Sequence, residues 1–163
     1  MTWTMYRVEF RLLSPIHVGY FKHSNVQYTR RYVTGKTIWG ALTARLARDE
    51  AGWQGQYQQV GNLVQEDLAF SYFYFVEKDQ EKILWPWEGC GNEEFTWRYL
   101  HTYASTALDC KTQTAQPGSL HETEYIAPIT RDGAQVHLRG YIFERKTSLP
   151  WKKVFGQLQL GGE

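Results

Sequence analysis

The residues best equipped for chemistry lie near the N-terminus. His17 and His23 stand six positions apart, with Tyr20, Lys22 and Tyr28 beside them. A metal-independent ribonuclease can be built from such a set, one imidazole acting as base and Lys22 steadying the pentavalent phosphate. The set lacks an acid, because Pro15 to Arg48 contains neither Asp nor Glu. Phosphate contact, or simple surface placement, uses the same residues without needing one. Thr34-Gly35-Lys36-Thr37 carries the last residues of a P-loop pattern, but Arg30 occupies the position, five before Gly35, where that pattern requires glycine. Nucleotide hydrolysis is rejected on that ground. Two readings of the motif remain. It is an ordinary capped helix, or a helix N-terminus whose free amides hold a phosphate with Arg30, Arg31, Lys36 and the Thr37 hydroxyl.

Other clusters are poorer. His121-Glu122-Thr123-Glu124 falls on an expected strand, where alternation sends neighbouring side chains to opposite faces, so it makes a poor metal site. Cys90 and Cys110 are too few for a four-ligand zinc site or a disulfide framework and read as reduced thiols. No metal, no cofactor and no catalytic group is expected. Aromatic residues interleave with charge in the N-terminal stretch: Tyr20, Phe21, Tyr28 and Tyr32 among Lys22, Arg30 and Arg31. Cations neutralise phosphates while ring faces stack on unpaired bases, the combination that binds single-stranded RNA. The same rings are equally good core material.

Charge is spread unevenly over the 163 residues. Met1 to Arg48 carries eight Lys/Arg against the single acid Glu9, a net of +7. Asp49 to Leu100 carries ten acids against three bases, a net of −7, and the whole chain closes at +1. This asymmetry points to one anion-binding end, or else to two oppositely charged faces. No apolar run approaches the roughly 20 residues of a membrane helix, and the N-terminus lacks the pattern of a signal peptide, so a cytoplasmic protein is expected.

The elements that must position these residues follow from periodicity. Tyr6, Val8, Phe10 and Leu12 alternate with Arg7, Glu9 and Arg11, which predicts a strand over 5–13. Residues 16–33 read as a loop or ragged hairpin. Ile38, Leu42 and Leu46 form one stripe of a helix over 36–51, with Thr34 as N-cap and Gly52 as stop. An aromatic-rich buried strand, or part of one, is expected over 68–76, a helix over 93–102 and a long loop or flexible hairpin over 105–119. Residues 121–129 and 134–143 read as two strands joined across Arg131-Asp132-Gly133. A short helix over 149–160 has Pro150 in its first turn. Without residues 52–119 the order is strand, helix, strand, strand, helix, five-sixths of a ferredoxin-like βαββαβ unit.

Four stretches, in this order, resemble the RAMP (repeat-associated mysterious protein) superfamily of CRISPR-associated proteins. Leu13-Ser14-Pro15-Ile16-His17-Val18-Gly19 is similar to the end of the family's first strand, where the chain enters an RNA-contacting loop. Tyr32 to Leu42, with Thr34-Gly35-Lys36-Thr37, resembles its phosphate-contacting helix start. Thr106 to Leu120 has Leu108-Asp109, Thr112, Ala115, Gly118 and Leu120 at the places of the thumb hairpin that reaches over the guide RNA, and Glu124-Tyr125-Ile126 follows. Leu158 to Glu163 resembles the opening of the glycine-rich loop. There are departures: Thr34 replaces a proline, Lys36 a serine, Trp39 a basic residue and Gln113 a glycine.

The resemblance implies an α+β, ferredoxin-like (RRM-like) RAMP fold over 1–163, a single domain with 52–119 as insertion and thumb and its last core strand missing. It implies a guide RNA (crRNA)-binding subunit of a type III CRISPR effector complex in antiviral defence. Partners would be guide RNA and other RAMP subunits, with target RNA nearby and no membrane. The RNA-binding residues would be His17, Gly19, Lys22, Arg30, Arg31, Gly35, Lys36, Thr37, Lys111, Gln113, Gly161 and Gly162. Target-cutting members carry an aspartate in the loop after the first strand; none stands here, so no cleavage is expected. A guide-processing endoribonuclease using His17 or His23, and a scaffold docking a basic partner on the acidic middle segment, are the alternatives. The missing last strand implies that 5–13 pairs with a strand from outside these residues, unless 68–76 fills the place.

Overall fold

A computed structural model of the chain describes residues 2–50, 52–78, 83–85, 87, 93–145, 149–156 and 158–160. The elements in chain order are strands β1 (Thr4–Arg11), β2 (Gly19–His23), β3 (Val26–Thr29) and β4 (Tyr32–Val33), then helices α1 (Gly35–Asp49) and α2 (Tyr57–Asp67). β5 (Leu68–Phe70), β6 (Phe73–Glu77), α3 (Glu93–Tyr99), β7 (Leu100–Ser105), β8 (His121–Ile126), β9 (Val136–Glu144) and α4 (Trp151–Val154) follow. One sheet has the order β1-β9-β6-β4, with β5 also pairing β9; the other has the order β2-β3-β8-β7. No helix among the described residues is long and apolar enough to cross a membrane.

Contacts group the chain into two compact units, the first being 1–10, 33–74 and 139–163, the second 11–32 and 75–138. In the first, α1 buries the stripe Ile38, Leu42 and Leu46. Thr34 caps it, its hydroxyl accepting from the Thr37 N–H at 3.4 Å. The helix ends at Asp49, short of Gly52, which lies in the turn to α2 with φ +88°. α2 packs against α1 where Gly61 passes under Trp39, whose indole N–H donates to the Gly61 carbonyl at 3.1 Å. Phe10, Phe73 and Phe155 form an aromatic cluster with centroid separations of 6.0 and 4.8 Å. Beside it Glu144 accepts hydrogen bonds from Tyr6 and Trp151, and Arg139 pairs with Glu9 at 2.9 Å.

Gly140 of β9 explains why β6 can come so close. A Cβ there would stand 2.6–2.7 Å from three carbons of the Phe73 ring. An aromatic laid over a strand glycine covers the exposed backbone and fills the missing side-chain volume. Gly140→Ala is therefore expected to cost about 1–3 kcal/mol by overpacking. Gly40, inside α1 with nothing within 4 Å of its would-be Cβ, is the control. Gly40→Ala should add about 0.5–1 kcal/mol by helix propensity. Denaturant unfolding of the two variants checks both signs.

In the second unit β2 and β3 form an antiparallel hairpin, β3 runs parallel to β8, and β7 pairs antiparallel with β8. α3 buries Phe95 and Tyr99. Arg98 on its exposed side joins Glu77 at 2.6 Å and Glu94 and Asp132 at 3.1 Å.

Several expectations need correction. Residues 57–67, for which the sequence suggested no element, are helix α2. The strand, or part of one, expected over 68–76 is two strands, parted at Ser71-Tyr72, where the Ser71 N–H donates to the Tyr141 carbonyl. β6 takes a place in the sheet of β1 and β9, so a core strand lies inside the 52–119 region set aside as insertion. The helix over 93–102 stops at Tyr99 and continues as β7. The reversal at 131–133 exists, with Gly133 at φ +90° and a bridge from Ile129 to Gln135. The strands flanking it do not form one hairpin, since β8 and β9 belong to different sheets. The final helix is short, with Pro150 at the N-cap position rather than in the first turn. β1 sits at the end of its sheet, and 68–76 pairs elsewhere, so no described strand lies on the other side of β1.

Candidate nucleic-acid interface

The aromatic and basic residues around the first loop lie on the β2–β3 hairpin. β2 is an edge strand, and all five of its residues are exposed. Phe21 and Tyr28 face each other across the hairpin, and their rings stack at 4.5 Å and 8°. The register slips between Gly19 and Phe21, which leaves Tyr20 as an extra residue. A bulge of this kind interrupts strict alternation, so neighbouring side chains that would part can meet. The Tyr20 and Phe21 rings lie edge to face at 4.9 Å. Tyr20 is 59% and Phe21 51% exposed, so neither is core material.

Arg30 is held against this cluster. Its guanidinium carbon lies 5.0 Å from the Tyr20 ring centre, and its Nε donates to the Gly19 carbonyl at 3.2 Å. A fixed guanidinium on an exposed ring keeps further N–H donors for an anion. Lys22 is exposed on β2. Arg31 lies with its guanidinium 5.8 Å from the Phe95 ring centre.

His17 precedes the hairpin, and its Nδ1 is 2.7 Å from the Glu124 carbonyl oxygen. A carbonyl only accepts, so Nδ1 carries the proton in that bond. His23 lies at the far end of β2, which begins two residues after His17. Thr29 and Glu124 hold the base of the loop. The Thr29 hydroxyl accepts from the Val18 N–H at 2.9 Å, and Glu124 Oε2 accepts from the Thr29 N–H at 3.2 Å.

Gly35, Lys36 and Thr37 belong to the other compact unit. Lys36 is exposed in the first turn of α1, while the N–H and hydroxyl of Thr37 are engaged by Thr34. Gly35 is buried, and a Cβ there would stand 2.6 Å from the Phe70 carbonyl oxygen. Close approach of the chain's own backbone is thus reason enough for glycine at this position.

Lys111 and Gln113 lie at the tip between β7 and β8. Asp109 Oδ1 accepts from the N–H groups of Lys111 and Thr112 at 2.8 and 2.9 Å, and those bonds hold its carboxyl below the usual range. Gln113 has φ +58° at the place where the pattern has glycine. Leu108 bridges Ala115 behind the tip, and at its neck the Ser105 hydroxyl lies 2.7 Å from His121 Nε2. Alternation on a strand gave no sign of that last contact. Gly161, Gly162 and Cys90 lie outside the described residues. Among the described residues no three His, Cys, Asp or Glu side chains are grouped to hold a metal ion.

Neither a protein-family model nor a curated protein sequence matches the chain. Solved structures do. One chain of a Type III-B Cmr-beta complex bound to cognate target RNA and AMPPnP superposes with a TM-score of 0.60 at 16% identity, covering 97% of this chain and 60% of that one. A chain of the Type III-B Cmr-beta complex bound to cognate target RNA gives 0.63 at 9% identity, covering 98% and 93%. The present chain thus spans about three-fifths of the length of the first. The chain shares its α+β fold with these Cmr-beta chains.

Proposed function

We propose that this chain is a non-catalytic, guide-RNA-binding subunit of a type III CRISPR effector complex acting in antiviral defence in the cytoplasm, with other RAMP subunits as neighbours. One observation carries the reading: the β2–β3 hairpin exposes Tyr20 and Phe21 beside Arg30 and Lys22 on an edge strand. Rings that face solvent next to cations suit a chain with flat bases and a charged backbone. The fold it shares with chains of RNA-bound Cmr-beta complexes supports the same assignment. Arg30, Arg31 and Lys36 would meet phosphates, and Lys111 and Gln113 would reach the guide from the hairpin tip.

Absence of cleavage is part of the proposal. The first loop has no Asp or Glu, and the Glu124 carboxylate beside it is engaged by the Thr29 N–H rather than by His17, whose Nδ1 meets the Glu124 carbonyl. The test is to purify the tagged full chain with its complex and sequence the bound RNA. Repeat-derived guides are expected, with no cutting of repeat RNA or complementary target. Metal-independent cutting that His17→Ala or His23→Ala abolishes would establish the guide-processing alternative. A complex free of RNA would leave only the scaffold.

A further inference from the structure

The second compact unit has a groove that the RNA-binding reading does not use. Its volume is about 650 Å³. Leu100, Thr102 and Glu124 line it from one face of the β7–β8 ladder, where Thr102 is paired directly with Glu124. α3 contributes Glu93 and Trp97, and Arg131 also lines the groove. Trp97 is 55% exposed, although Phe95 and Tyr99 on the same helix are buried.

The charge around the groove selects its occupant. Glu93 and Glu94 stand in the first turn of α3, and Glu122 and Glu124 share one face of β8. Of the cations nearby, Arg98 is shared among Glu77, Glu94 and Asp132. Arg131 keeps its charge, donates one N–H to the Leu100 carbonyl at 3.3 Å, and is outnumbered in the lining by Glu93 and Glu124. Burial, and then the charge of Arg131, hold the His101 imidazole below the usual histidine range, so it adds no further cation near neutral pH. Glu93 has no ion-pair or hydrogen-bond partner among the described residues, and Glu124 uses one oxygen on Thr29.

A nucleic-acid backbone would bring its phosphates against these carboxylates, which disfavours RNA here. A guanidinium suits the indole and the two carboxylates together, provided it lies on the Trp97 and Glu93 side, away from Arg131. Its flat cation stacks on an indole face, and its fork of N–H donors pairs with a carboxylate through two bonds. An ammonium is more strongly hydrated and has no such plane, so lysine suits the site less well. The groove also leaves room for residues flanking the side chain.

We propose that this groove seats an arginine-bearing segment of a different protein subunit, the guanidinium lying on Trp97 and paired with Glu93 and Glu124. The inference rests on the reading that the chain works inside a multi-subunit complex, but not on its binding RNA.

The test places the photo-crosslinker p-benzoyl-phenylalanine at Thr102 of the tagged full chain and maps adducts in the purified complex. The expected adduct is an arginine-containing peptide of another subunit, with yield falling at least ten-fold when that arginine becomes alanine. Glu93→Gln with Trp97→Ala should lower the yield equally and leave the amount of bound RNA unchanged. If the double variant loses thermal stability, Glu93→Arg alone, on the exposed first turn, gives the same readout. An adduct on RNA, an adduct on a second copy of this chain, no protein adduct, or a yield indifferent to the arginine would each overturn the proposal. A complex that crosslinks as expected but contains no RNA would refute the RNA-binding reading and leave this one standing.

Discussion

Replacing Arg30, Arg31 and Lys36 together by alanine should weaken guide-RNA binding about a thousand-fold. A hydrogen bond to a charged group contributes about 1.5–3 kcal/mol, so each lost phosphate contact is worth roughly ten-fold or more. The salt dependence is the sharper readout. Each phosphate neutralised on a single strand contributes about 0.7 to the slope of log affinity against log salt, so losing three should flatten it by about 2. Tyr20→Ala with Phe21→Ala should behave differently. Stacking is worth about 1–3 kcal/mol per base and releases few counterions, so affinity falls while the slope holds. Fluorescence anisotropy with a labelled guide across a salt series distinguishes the two effects. Because Arg30 also holds the Gly19 carbonyl and Arg31 lies by the Phe95 ring, the Tm of the triple variant is needed alongside. Affinity and slope both unchanged would remove the phosphate role from these cations.

Removing the Glu144 carboxylate should produce the largest loss of stability. Glu144 is 3% exposed. It accepts from Trp151 Nε1 and the Tyr6 hydroxyl, each at 2.8 Å, and from Lys152 Nζ at 3.3 Å. These bonds join α4 to β1 and β9, and the Tyr6 and Trp151 rings meet edge to face at 5.4 Å beside them. Glu144→Ala leaves a buried indole N–H without an acceptor, at an expected cost of about 2–4 kcal/mol. For a chain of this size that is a Tm decrease of roughly 10 °C.

The same carboxylate sets a pH dependence. Burial pushes its pKa up, but the bonds from Trp151, Tyr6 and Lys152 outweigh burial and hold it below the ordinary glutamate value. A depressed folded-state pKa contributes stability that is complete above the unfolded value, about 4.3, and is lost as pH falls through the folded one. The wild-type chain should therefore lose stability on acidification below that point. Glu144→Gln, which has no charge to lose, should lose less over the same interval. Denaturant midpoints for both proteins at neutral and acid pH measure the difference, and parallel losses would refute the assignment.

Much of the local structure was legible. β1 showed itself because Tyr6, Val8 and Phe10 alternate with charged residues, and α1 because Ile38, Leu42 and Leu46 repeat every four. α2 was not legible. Only Val60 and Val64 give it an apolar stripe, Gly61 weakens its propensity, and no side chain caps its start. Its stability comes from packing on α1 under Trp39, which is invisible in the segment itself. The turn at Arg131-Asp132-Gly133 was legible, but turn chemistry says only that the chain reverses. It does not say that the flanking strands pair, and β8 instead lies between β3 and β7.

The candidate site divides in the same way. That Tyr20, Phe21, Lys22, Tyr28 and Arg30 are rings and cations within eleven positions was determined by the sequence alone. That the rings are exposed was not, because an alternating aromatic segment fits a core equally well until the sheet order is known. The tertiary structure put β2 at an edge, paired Phe21 with Tyr28, and inserted Tyr20 as a bulge so that its ring meets Phe21. It also supplied the internal reasons for Gly35 and Gly140, and it brought Trp97, Glu93 and Glu124 to one groove from a helix and a strand about thirty residues apart. Periods of 2 and 3.6 record which face of a segment is buried, since that is a property of neighbouring residues. The identity of the partner is settled by burial and hydrogen bonding summed over contacts far apart in the chain, and no local pattern carries that sum.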